Sequence, residues 1–204
     1  MIVVDDGSSD RTIELIRKVK KTEPRVKLLR NSRNLGKGAA VKKGVLKACG
    51  RYILFTDVDL SAPIDQFDKF EKYLKQGFDV VIGSRRIDGS QIGIHQPWVR
   101  RVLGAIFYFL TRKFILSGIV DSNCGFKAYR RPAAQEIFKL QTINRWAFDV
   151  ELLLIAQKKN FKIKEVPIKW YDSPYSQVKI GMAIFSSLRD VVKIKINEKR
   201  GLYG

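Results

Sequence analysis

The chain has 204 residues, which at roughly 150 residues per domain predicts one domain with a sizeable core. Hydrophobic residues make up 45% and charged residues 29%, a globular balance that excludes an intrinsically disordered chain. The 39 Lys and Arg against 20 Asp and Glu leave a formal charge of +19. That charge favours an anionic partner, and nucleic acid, an anionic membrane surface and a phosphorylated small molecule all qualify.

Cysteine usage and apolar run lengths limit where the chain can act. Cys49 and Cys124 stand in unrelated contexts without metal-ligand spacing, which favours reduced, buried thiols over a disulfide scaffold. The opening residues lack the pattern of a secretory signal peptide, and no apolar run reaches the ~18 residues of a membrane span. We therefore expect a chain at the cytoplasmic face of a membrane, attached peripherally.

The first 85 residues alternate short apolar runs with stretches of helical period, which is typical of βαβ units and a mainly parallel sheet. A helix carrying Ile13 and Val19 follows the first strand, with Ser8 or Ser9 as its expected cap. The other expected elements are strands over 2–4, 26–29, 52–56 and 79–82 and helices over 36–48 and 63–75.

The alternation stops after residue 85, although nothing marks a second domain, so we predict one domain over 1–204 with halves at 1–85 and 86–204. A polar, glycine-containing loop is expected over 87–95, before an aromatic-rich segment over 97–119. The later expected elements are a strand over 126–130, helices over 132–140 and 147–158, an edge strand with Pro167 over 163–170, and an amphipathic helix over 178–196.

Acidic residues follow the predicted strands at the edge where open α/β sheets bind ligands. The first strand ends in Asp5-Asp6-Gly7, and the third ends in Asp57-Val58-Asp59. In extended backbone, Asp57 and Asp59 point to the same side and can share a hard divalent cation through oxygen ligands. The alternative is that Asp57 caps the strand and Asp59 begins a turn before Pro63.

Asn34-Leu35-Gly36-Lys37-Gly38 opens the second helix and lacks the spacing of a Walker A loop. Free backbone N–H groups and the helix dipole at such a position can hold an anion, with Lys37 beside it. The competing interpretation is a tight loop with a solvated lysine.

Together, ordered motifs over nearly the whole chain resemble the family 2 glycosyltransferases, which have a GT-A fold. The first four are Val4-Asp5-Asp6-Gly7-Ser8-Ser9-Asp10, Asn34-Leu35-Gly36-Lys37-Gly38, Asp57-Val58-Asp59 and Gly83-Ser84-Arg85. Two later motifs resemble the dolichyl-phosphate β-glucosyltransferase branch more than the mannosyltransferase branch. They are Asp121-Ser122-Asn123-Cys124-Gly125-Phe126-Lys127-Ala128-Tyr129 and Arg145-Trp146-Ala147-Phe148-Asp149-Val150-Glu151-Leu152-Leu153.

The resemblance implies metal-dependent transfer of a hexose, glucose from UDP-glucose, to a polyprenyl phosphate with inversion. It assigns Asp5, Asp6, Gly7, Lys37 and Asp57 to the nucleotide sugar, and Asp57 and Asp59 to Mg²⁺ or Mn²⁺. Asp149 matches the catalytic carboxylate of the family. An acceptor phosphate with a second pKa near ~6 is already anionic, so we expect Asp149 mainly to orient the acceptor or to hydrogen-bond the sugar.

An anionic acceptor approaching a carboxylate-lined site needs cations to screen the repulsion. Arg85, Lys127, Arg130 and Arg131 are the expected acceptor-phosphate residues, and arginine is favoured because its planar guanidinium can bind phosphate through two hydrogen bonds. Solvated surface charge is the alternative for Arg130 and Arg131.

Two amphipathic stretches are expected to lie on a membrane surface. Trp98, Phe109 and Phe114 belong to the first, and the tail carries a similar pattern. The alternative is that both stretches cover the core or a homo-oligomer interface. Apolar residues of these stretches also include Val102, Leu103, Ile106, Phe107, Leu110, Ile115, Met182, Ile184, Phe185, Leu188, Val191 and Val192.

Family members carry a further strand upstream of the Asp-Asp-Gly-Ser motif, which this sequence lacks, so part of the nucleotide pocket and a neighbour for the first strand are expected to be missing. Three alternative functions stay open: a mannosyltransferase, an inactive binding domain and a basic nucleic-acid-binding module. No nucleic acid is expected, because no nucleic-acid-binding signature is present and the acids cluster where such a module needs cations.

Overall fold

A computed structural model describes residues 1–94, 104–105, 108–109, 111–171 and 180–204, and for residues 94 and 180–185 it describes the backbone only. Its strands are β1 (Ile2–Asp5), β2 (Lys27–Arg30), β3 (Tyr52–Thr56), β4 (Val80–Ser84), β5 (Gln91–Ile94), β6 (Phe126–Arg130), β7 (Ile163–Pro167) and β8 (Lys169–Tyr171). Its α-helices are α1 (Thr12–Thr22), α2 (Lys37–Lys47), α3 (Phe67–Lys75), α4 (Arg131–Leu140), α5 (Phe148–Lys158) and α6 (Ile180–Lys199).

The central sheet has four strands in the order β3-β6-β4-β7. Strand β6 is antiparallel to both of its neighbours, whereas β4 and β7 are parallel. Two further pairs, β1 with β2 and β5 with β8, are parallel. Three of the five described strand pairings are therefore parallel, whereas two of the three pairings in the central sheet are antiparallel because β6 is inserted there. Because β3 and β4 run in the same direction, their carboxyl ends reach the same edge.

Helices cover both faces of the central sheet, since alternate residues along a strand point to opposite sides. Val80 and Ile82 of β4 pack into a core with α4 and α5, while Val81 packs on the other side with Phe70 of α3. Every residue of α5 from Phe148 to Ala156 is buried, which is typical of a helix enclosed on all sides. This buried helix carries Asp149.

The expected elements are present, with local differences. The proposed serine cap of α1 is wrong: the N-cap residue is Arg11, which makes no capping side-chain hydrogen bond, and Asp10 Oδ1 accepts the Thr12 N–H at 3.0 Å. The loop expected over 87–95 contains β5, whose partner β8 is the last part of the expected edge strand over 163–170. That strand divides because β7 ends at Pro167 and the backbone then changes partner from β4 to β5. The helix expected over 63–75 begins with a 3₁₀ turn, Ile64–Gln66.

The two cysteines differ in environment. Cys124 is buried as expected, but Cys49 is exposed, so the prediction of two buried thiols is wrong for Cys49. Cys49 follows α2 in a loop that returns to β3, and connecting segments of this kind run over the surface.

The start of α2 lies against the segment before α5. Gly36 has φ of +107°, and a Cβ there would lie 2.4 Å from the Asn144 carbonyl oxygen. A Cβ on Gly38 would lie 2.7 Å from the Phe148 Cβ and 2.8 Å from the Ile143 oxygen. The glycines of this motif therefore permit close packing of two backbones.

We predict that Gly38→Ala lowers the free energy of unfolding by about 1–3 kcal/mol, because the added methyl group collides with backbone and with the base of a buried ring. Gly104→Ala is the matched control, since Gly104 is helical and a Cβ there has no described neighbour within 4 Å. Urea unfolding of both variants measures the difference. Equal stability of Gly38→Ala and wild type would contradict the packing described here.

Candidate active site

Asp57 lies at the edge of the central sheet, directly after β3. Its N–H donates to the Gly125 carbonyl at 3.2 Å, which ties it to the residue before β6. A Cβ on Gly125 would lie 2.1 Å from the Asp57 Oδ2, so only glycine leaves room for the carboxylate in this position. The glycine before β6 thus decides where the Asp57 carboxylate stands.

Lys37, the first residue of α2, pairs with this carboxylate. Its Nζ lies 2.8 Å from Asp57 Oδ1 and 3.0 Å from Oδ2. The same Nζ lies 5.6 Å from the ring centres of Phe55 and Trp146, within cation–π range. Burial opposes the charge of Lys37, but the carboxylates of Asp57 and Asp149 outweigh it and raise its pKa, so the ammonium group persists. Lys37 is therefore not the solvated lysine of the alternative interpretation.

A second ion pair, between Lys127 and Asp149, lies close enough for the Asp149 charge to act on Lys37. Lys127 is completely buried and donates to Asp149 Oδ1 at 2.6 Å and to the Cys124 carbonyl at 2.5 Å. Burial raises the pKa of Asp149, although the nearby Lys127 and Lys37 oppose that change. Asp149 and Lys127 therefore form a desolvated pair within the sheet–helix interface, close to Lys37.

Asp57 and Asp59 are not in extended backbone, so the prediction that their side chains point to the same side as alternate residues of a strand is wrong. Residues 57–60 form a turn in which the Leu60 N–H donates to the Asp57 carbonyl at 3.2 Å, with Leu60 at φ of +51°. Asp59 Oδ1 accepts the Ser61 N–H at 3.0 Å. The charge of Asp59 nonetheless contributes to the raised pKa of Lys37, so both carboxylates act on the same ammonium group.

The described residues contain no cluster of three or more acidic, His or Cys side chains suited to holding a metal. Mg²⁺ commonly binds through one or two carboxylates plus waters and substrate phosphates. Asp57 and Asp59 fit that mode, because the sequence supplies two carboxylates at one turn and the existing partner of Asp57 is itself a cation. They do not form an all-protein cage.

Asp5 and Asp6 organise the loop after β1. Asp5 accepts N–H bonds from Gly7 and Ser8 and a bond from Arg30 Nε. Burial works against its ionisation, yet these hydrogen bonds and the charge of Arg30 lower the pKa of Asp5. Gly7, at φ of +80°, passes so close to Arg33 that a Cβ would lie 2.6 Å from its carbonyl carbon.

Asp6 connects this loop to Lys37. Its carboxylate accepts the N–H of Leu35 at 3.0 Å and of Gly36 at 2.7 Å, and the Asn31 side-chain amide at 2.8 Å. The N–H groups just before α2 are therefore occupied by an internal carboxylate, which weakens the prediction that this helix start binds an external anion. The structure places Asp5, Asp6 and Gly7 as the framework beside the Lys37–Asp57 pair.

Arg85 follows β4 at the same edge as Asp57. Its guanidinium forms two hydrogen bonds with Asp121, at 2.8 and 2.9 Å, and lies 4.9 Å from the ring centre of Trp170. Burial disfavours the Asp121 carboxylate, but Arg85 outweighs it and lowers the pKa of Asp121. Glu165 in turn accepts the N–H groups of Val120 and Asp121. Arg85 is thus held at the site by Asp121.

Arg130 and Arg131 do not join this group. Arg130 pairs with Tyr52 at the start of β3, about 13 Å from the end of that strand at 3.3 Å per residue. Its guanidinium donates to the Leu74 carbonyl, and Arg131 donates to the Cys49 carbonyl. The prediction that placed them with Arg85 and Lys127 does not agree with the antiparallel direction of β6, which carries residue 130 to the opposite edge of the sheet.

Sequence reasoning assigned no role to three residues: Asp121, which pairs with Arg85, Trp146, whose ring lies near Lys37, and the buried Glu151. All three stand within the motifs quoted above, but motif membership did not indicate what they contact. The sequence did contain a signal that Lys127 is buried and paired with an acid. Lys127 stands between Phe126 and Ala128 in an apolar strand, and a buried lysine needs a carboxylate partner.

Residues 1–138 match the family described as Glycosyl transferase family 2. A dolichyl-phosphate beta-glucosyltransferase of Trichomonas vaginalis is 38% identical, over 100% of this chain and 61% of the relative. One of Dictyostelium discoideum is 33% identical, over 100% of this chain and 64% of the relative. The chain therefore spans somewhat over three fifths of the length of these relatives.

A crystal structure of glucosyl-3-phosphoglycerate synthase from Mycobacterium tuberculosis, in complex with Mn²⁺ and UDP-glucose, superposes with a TM-score of 0.61. It is 16% identical, with 93% of this chain and 67% of that chain covered. The likeness shows the fold, and the fold class expected from the sequence, α/β of GT-A type, is confirmed. The chain belongs to glycosyltransferase family 2.

We predict that Lys127→Met lowers the free energy of unfolding by about 3–5 kcal/mol, because it leaves the Asp149 carboxylate buried without its counterion. Replacing both partners, in Lys127→Met/Asp149→Leu, is expected to recover most of that loss. Lys69→Met, at an exposed position of α3, is the control. Urea unfolding curves decide: if the double variant is no more stable than Lys127→Met, the two side chains are not coupled.

Proposed function

We propose that the chain binds a nucleotide sugar at the Lys37–Asp57 edge and transfers its hexose, with inversion, to a polyprenyl phosphate. The curated relatives are named dolichyl-phosphate beta-glucosyltransferases, which supports glucose as the sugar and a dolichyl-type lipid as the acceptor. The structural neighbour crystallised with UDP-glucose supports UDP-glucose as the donor. The observation that carries the proposal is the ion pair of Asp57 with Lys37 at 2.8 Å, close to the buried ion pair of Asp149 with Lys127. This arrangement supports the proposal because Asp57, our proposed metal ligand, and Lys37, our proposed phosphate contact, lie close to the buried carboxylate of Asp149.

At the donor end, Asp57 and Asp59 would hold Mg²⁺ or Mn²⁺. When bound, the ion supplies positive charge to the diphosphate that departs with the nucleoside. Lys37 is then within reach of the same diphosphate, because its ammonium group already stands at Asp57. Asp5, Asp6 and Gly7 serve the nucleotide through the loop that they fix, since the Asp6 oxygens accept three internal hydrogen bonds.

At the acceptor end, the four proposed cations divide by position. Arg85 stands at the donor edge with its side chain partly exposed, so it is our proposed contact for the acceptor phosphate. Lys127 is completely buried, and its proposed role is to hold Asp149 in place. Arg130 and Arg131 stand at the other edge of the sheet and are left out of the proposal. Asp149 orients the attacking phosphate or hydrogen-bonds the sugar.

The transfer reaction is tested by incubating the chain with a panel of nucleotide sugars and dolichyl phosphate, with and without Mn²⁺, and by measuring glycolipid. We expect glucolipid from UDP-glucose, and a loss of about 10²-fold or more in Asp57→Asn, because one ligand of the charge-neutralising ion is gone. Asp68→Asn, an exposed acid on α3, is the control and retains wild-type activity.

Other outcomes of this assay point to the rival functions. Mannolipid from GDP-mannose favours a mannosyltransferase, and lipid association without turnover favours a binding domain. A salt-dependent DNA band shift without nucleotide-sugar binding favours a nucleic-acid-binding module. Full activity of Asp57→Asn contradicts the metal role of Asp57.

Membrane contact is the second part of the proposal. Among the described helices, none combines the length and hydrophobicity needed to span a bilayer. On α6, Leu188, Val192 and Ile196 are 37%, 58% and 44% exposed and recur every four residues, so they share one face. Phe109 and Phe114 are also exposed, and the Lys113 ammonium group lies near both rings. Exposed apolar residues among basic ones suit an anionic bilayer surface.

Much of the predicted amphipathic sequence lies outside the described residues or side chains. This applies to Trp98, Val102, Leu103, Ile106, Phe107 and Leu110, and to the side chains of Met182, Ile184 and Phe185. Of the remaining predicted membrane residues, Ile115 is buried in the main core and Val191 packs against it. The alternative of core coverage therefore holds for these two side chains.

We predict that Leu188→Gln/Val192→Gln weakens flotation of the chain with anionic liposomes by several-fold at moderate salt, because two exposed apolar side chains are lost. Leu15→Gln/Val19→Gln is the matched control, an exposed pair with the same spacing on α1. A larger effect of the α1 pair would contradict the assignment to α6. Self-association that is lost in the α6 variant would instead identify this face as a homo-oligomer interface.

A further inference from the structure

Glu151 is a buried acid on α5 that the proposed reaction does not use. It is completely buried, and its carboxylate accepts four different donors. Three of them lie in the segment before α5: the N–H and hydroxyl of Thr142, at 3.0 and 2.6 Å, and the N–H of Ile143, at 2.8 Å. The fourth is the hydroxyl of Tyr203, at 2.7 Å. A desolvated carboxylate with this many donors fixes the backbone that surrounds it.

The segment that Glu151 holds is the one on which α2 begins. The Asn144 carbonyl accepts the Ala39 N–H at 3.1 Å, and the Gln141 side-chain amide donates to the Gly38 carbonyl at 3.0 Å. Gly36 and Gly38 have no room for a side chain against residues 143–148. Lys37 stands between these glycines. The position of its backbone is therefore set by the segment that Glu151 fixes.

The same network includes the last helix and the residues after it. Asn197 of α6 donates from Nδ2 to the Thr142 hydroxyl at 2.9 Å and to the Tyr203 hydroxyl at 3.3 Å. Tyr203 is buried, and burial together with the hydrogen bond to Glu151 raises its pKa, so its hydroxyl remains a donor. Tyr203 contacts Glu151 and Asn197 directly. It reaches the first turn of α2 only through residues 141–144, which hydrogen-bond to that turn.

We propose that Glu151 is a positioning residue, and that Tyr203 and Asn197 act through it to hold Lys37 opposite Asp57. Two fixed backbone connections carry the effect, from Glu151 to residues 142–143 and from residues 141–144 to α2. Its consequence for donor binding rests on the proposed function. The coupling of α6 to the start of α2 is independent of that function.

The test is Tyr203→Phe, which keeps the buried ring and removes only the hydroxyl. Tyr52→Phe is the matched control, because among the described residues the buried Tyr52 hydroxyl has no hydrogen-bond partner. Amide hydrogen exchange of residues 36–40 is the first readout, and we expect it to be about tenfold faster in Tyr203→Phe and unchanged in Tyr52→Phe. Asn197→Ala, which removes the links from α6 and leaves Glu151 and Tyr203 in place, is expected to act in the same direction.

The second readout is the dissociation constant of UDP-glucose in the presence of Mn²⁺, which we expect to rise about fivefold in Tyr203→Phe as Lys37 loses its fixed position. A solely structural role of Tyr203 would speed exchange near residues 142–143 and 197–204 and leave residues 36–40 and this constant unchanged, which would overturn the proposal. Faster exchange at 36–40 in a chain whose wild type does not bind UDP-glucose would uphold the coupling and contradict the proposed function.

Discussion

The ion pair between Lys37 and Asp57 is the interaction on which the site depends. The positions of both side chains depend on neighbouring glycines. The Asp57 carboxylate occupies space that a side chain at residue 125 would fill, and Lys37 stands on a helix start that packs closely against residues 143–148. Asp6 adds the third constraint by holding the N–H groups of Leu35 and Gly36. Three backbone segments that are distant in sequence therefore meet at one pair of charges, and the geometry of that pair reports on all three.

The buried charges explain how a strongly basic chain keeps carboxylates at one sheet edge. Asp121 is matched by Arg85, Asp149 by Lys127 and Asp57 by Lys37, so three of the acids near the site have a cation within hydrogen-bond distance. Asp6 and Asp59 instead accept hydrogen bonds from N–H groups. Without a counterion, a buried carboxylate would carry a large desolvation penalty that lowers the stability of the fold. A buried ion pair contributes little to stability, but it keeps both charges in fixed positions. A solvated side chain on the surface would not keep its charge in one position.

Most elements could be predicted from the sequence, because apolar period distinguishes strands from helices without knowledge of the partner. Strand β3 was expected at Tyr52–Thr56, where it occurs. Strand β5 was not expected, since Gln91–Ile94 is a four-residue run within a polar, glycine-containing stretch and its pairing with β8 depends on a partner 78 positions away. The acids at the sheet edge could be predicted because they follow the strands. The turn at Asp57 and the position of Arg130 at the opposite edge depend on the antiparallel strand β6, and nothing in the sequence near β6 indicates that it runs antiparallel. Motif positions identified Lys37, Asp57, Lys127 and Asp149, but which cation pairs with which acid needed the coordinates.

The contrast between the two cysteines has a practical consequence for chemical labelling. Burial raises the pKa of the Cys124 thiol to about 12, so it stays protonated and inaccessible to alkylating reagents at neutral pH. Cys49 is exposed, and its carbonyl accepts the Arg131 guanidinium at the sheet edge opposite Asp57. A maleimide dye or spin label therefore has one natural attachment point, remote from the ion pairs, and the native chain can be studied by fluorescence or resonance methods without removing a thiol.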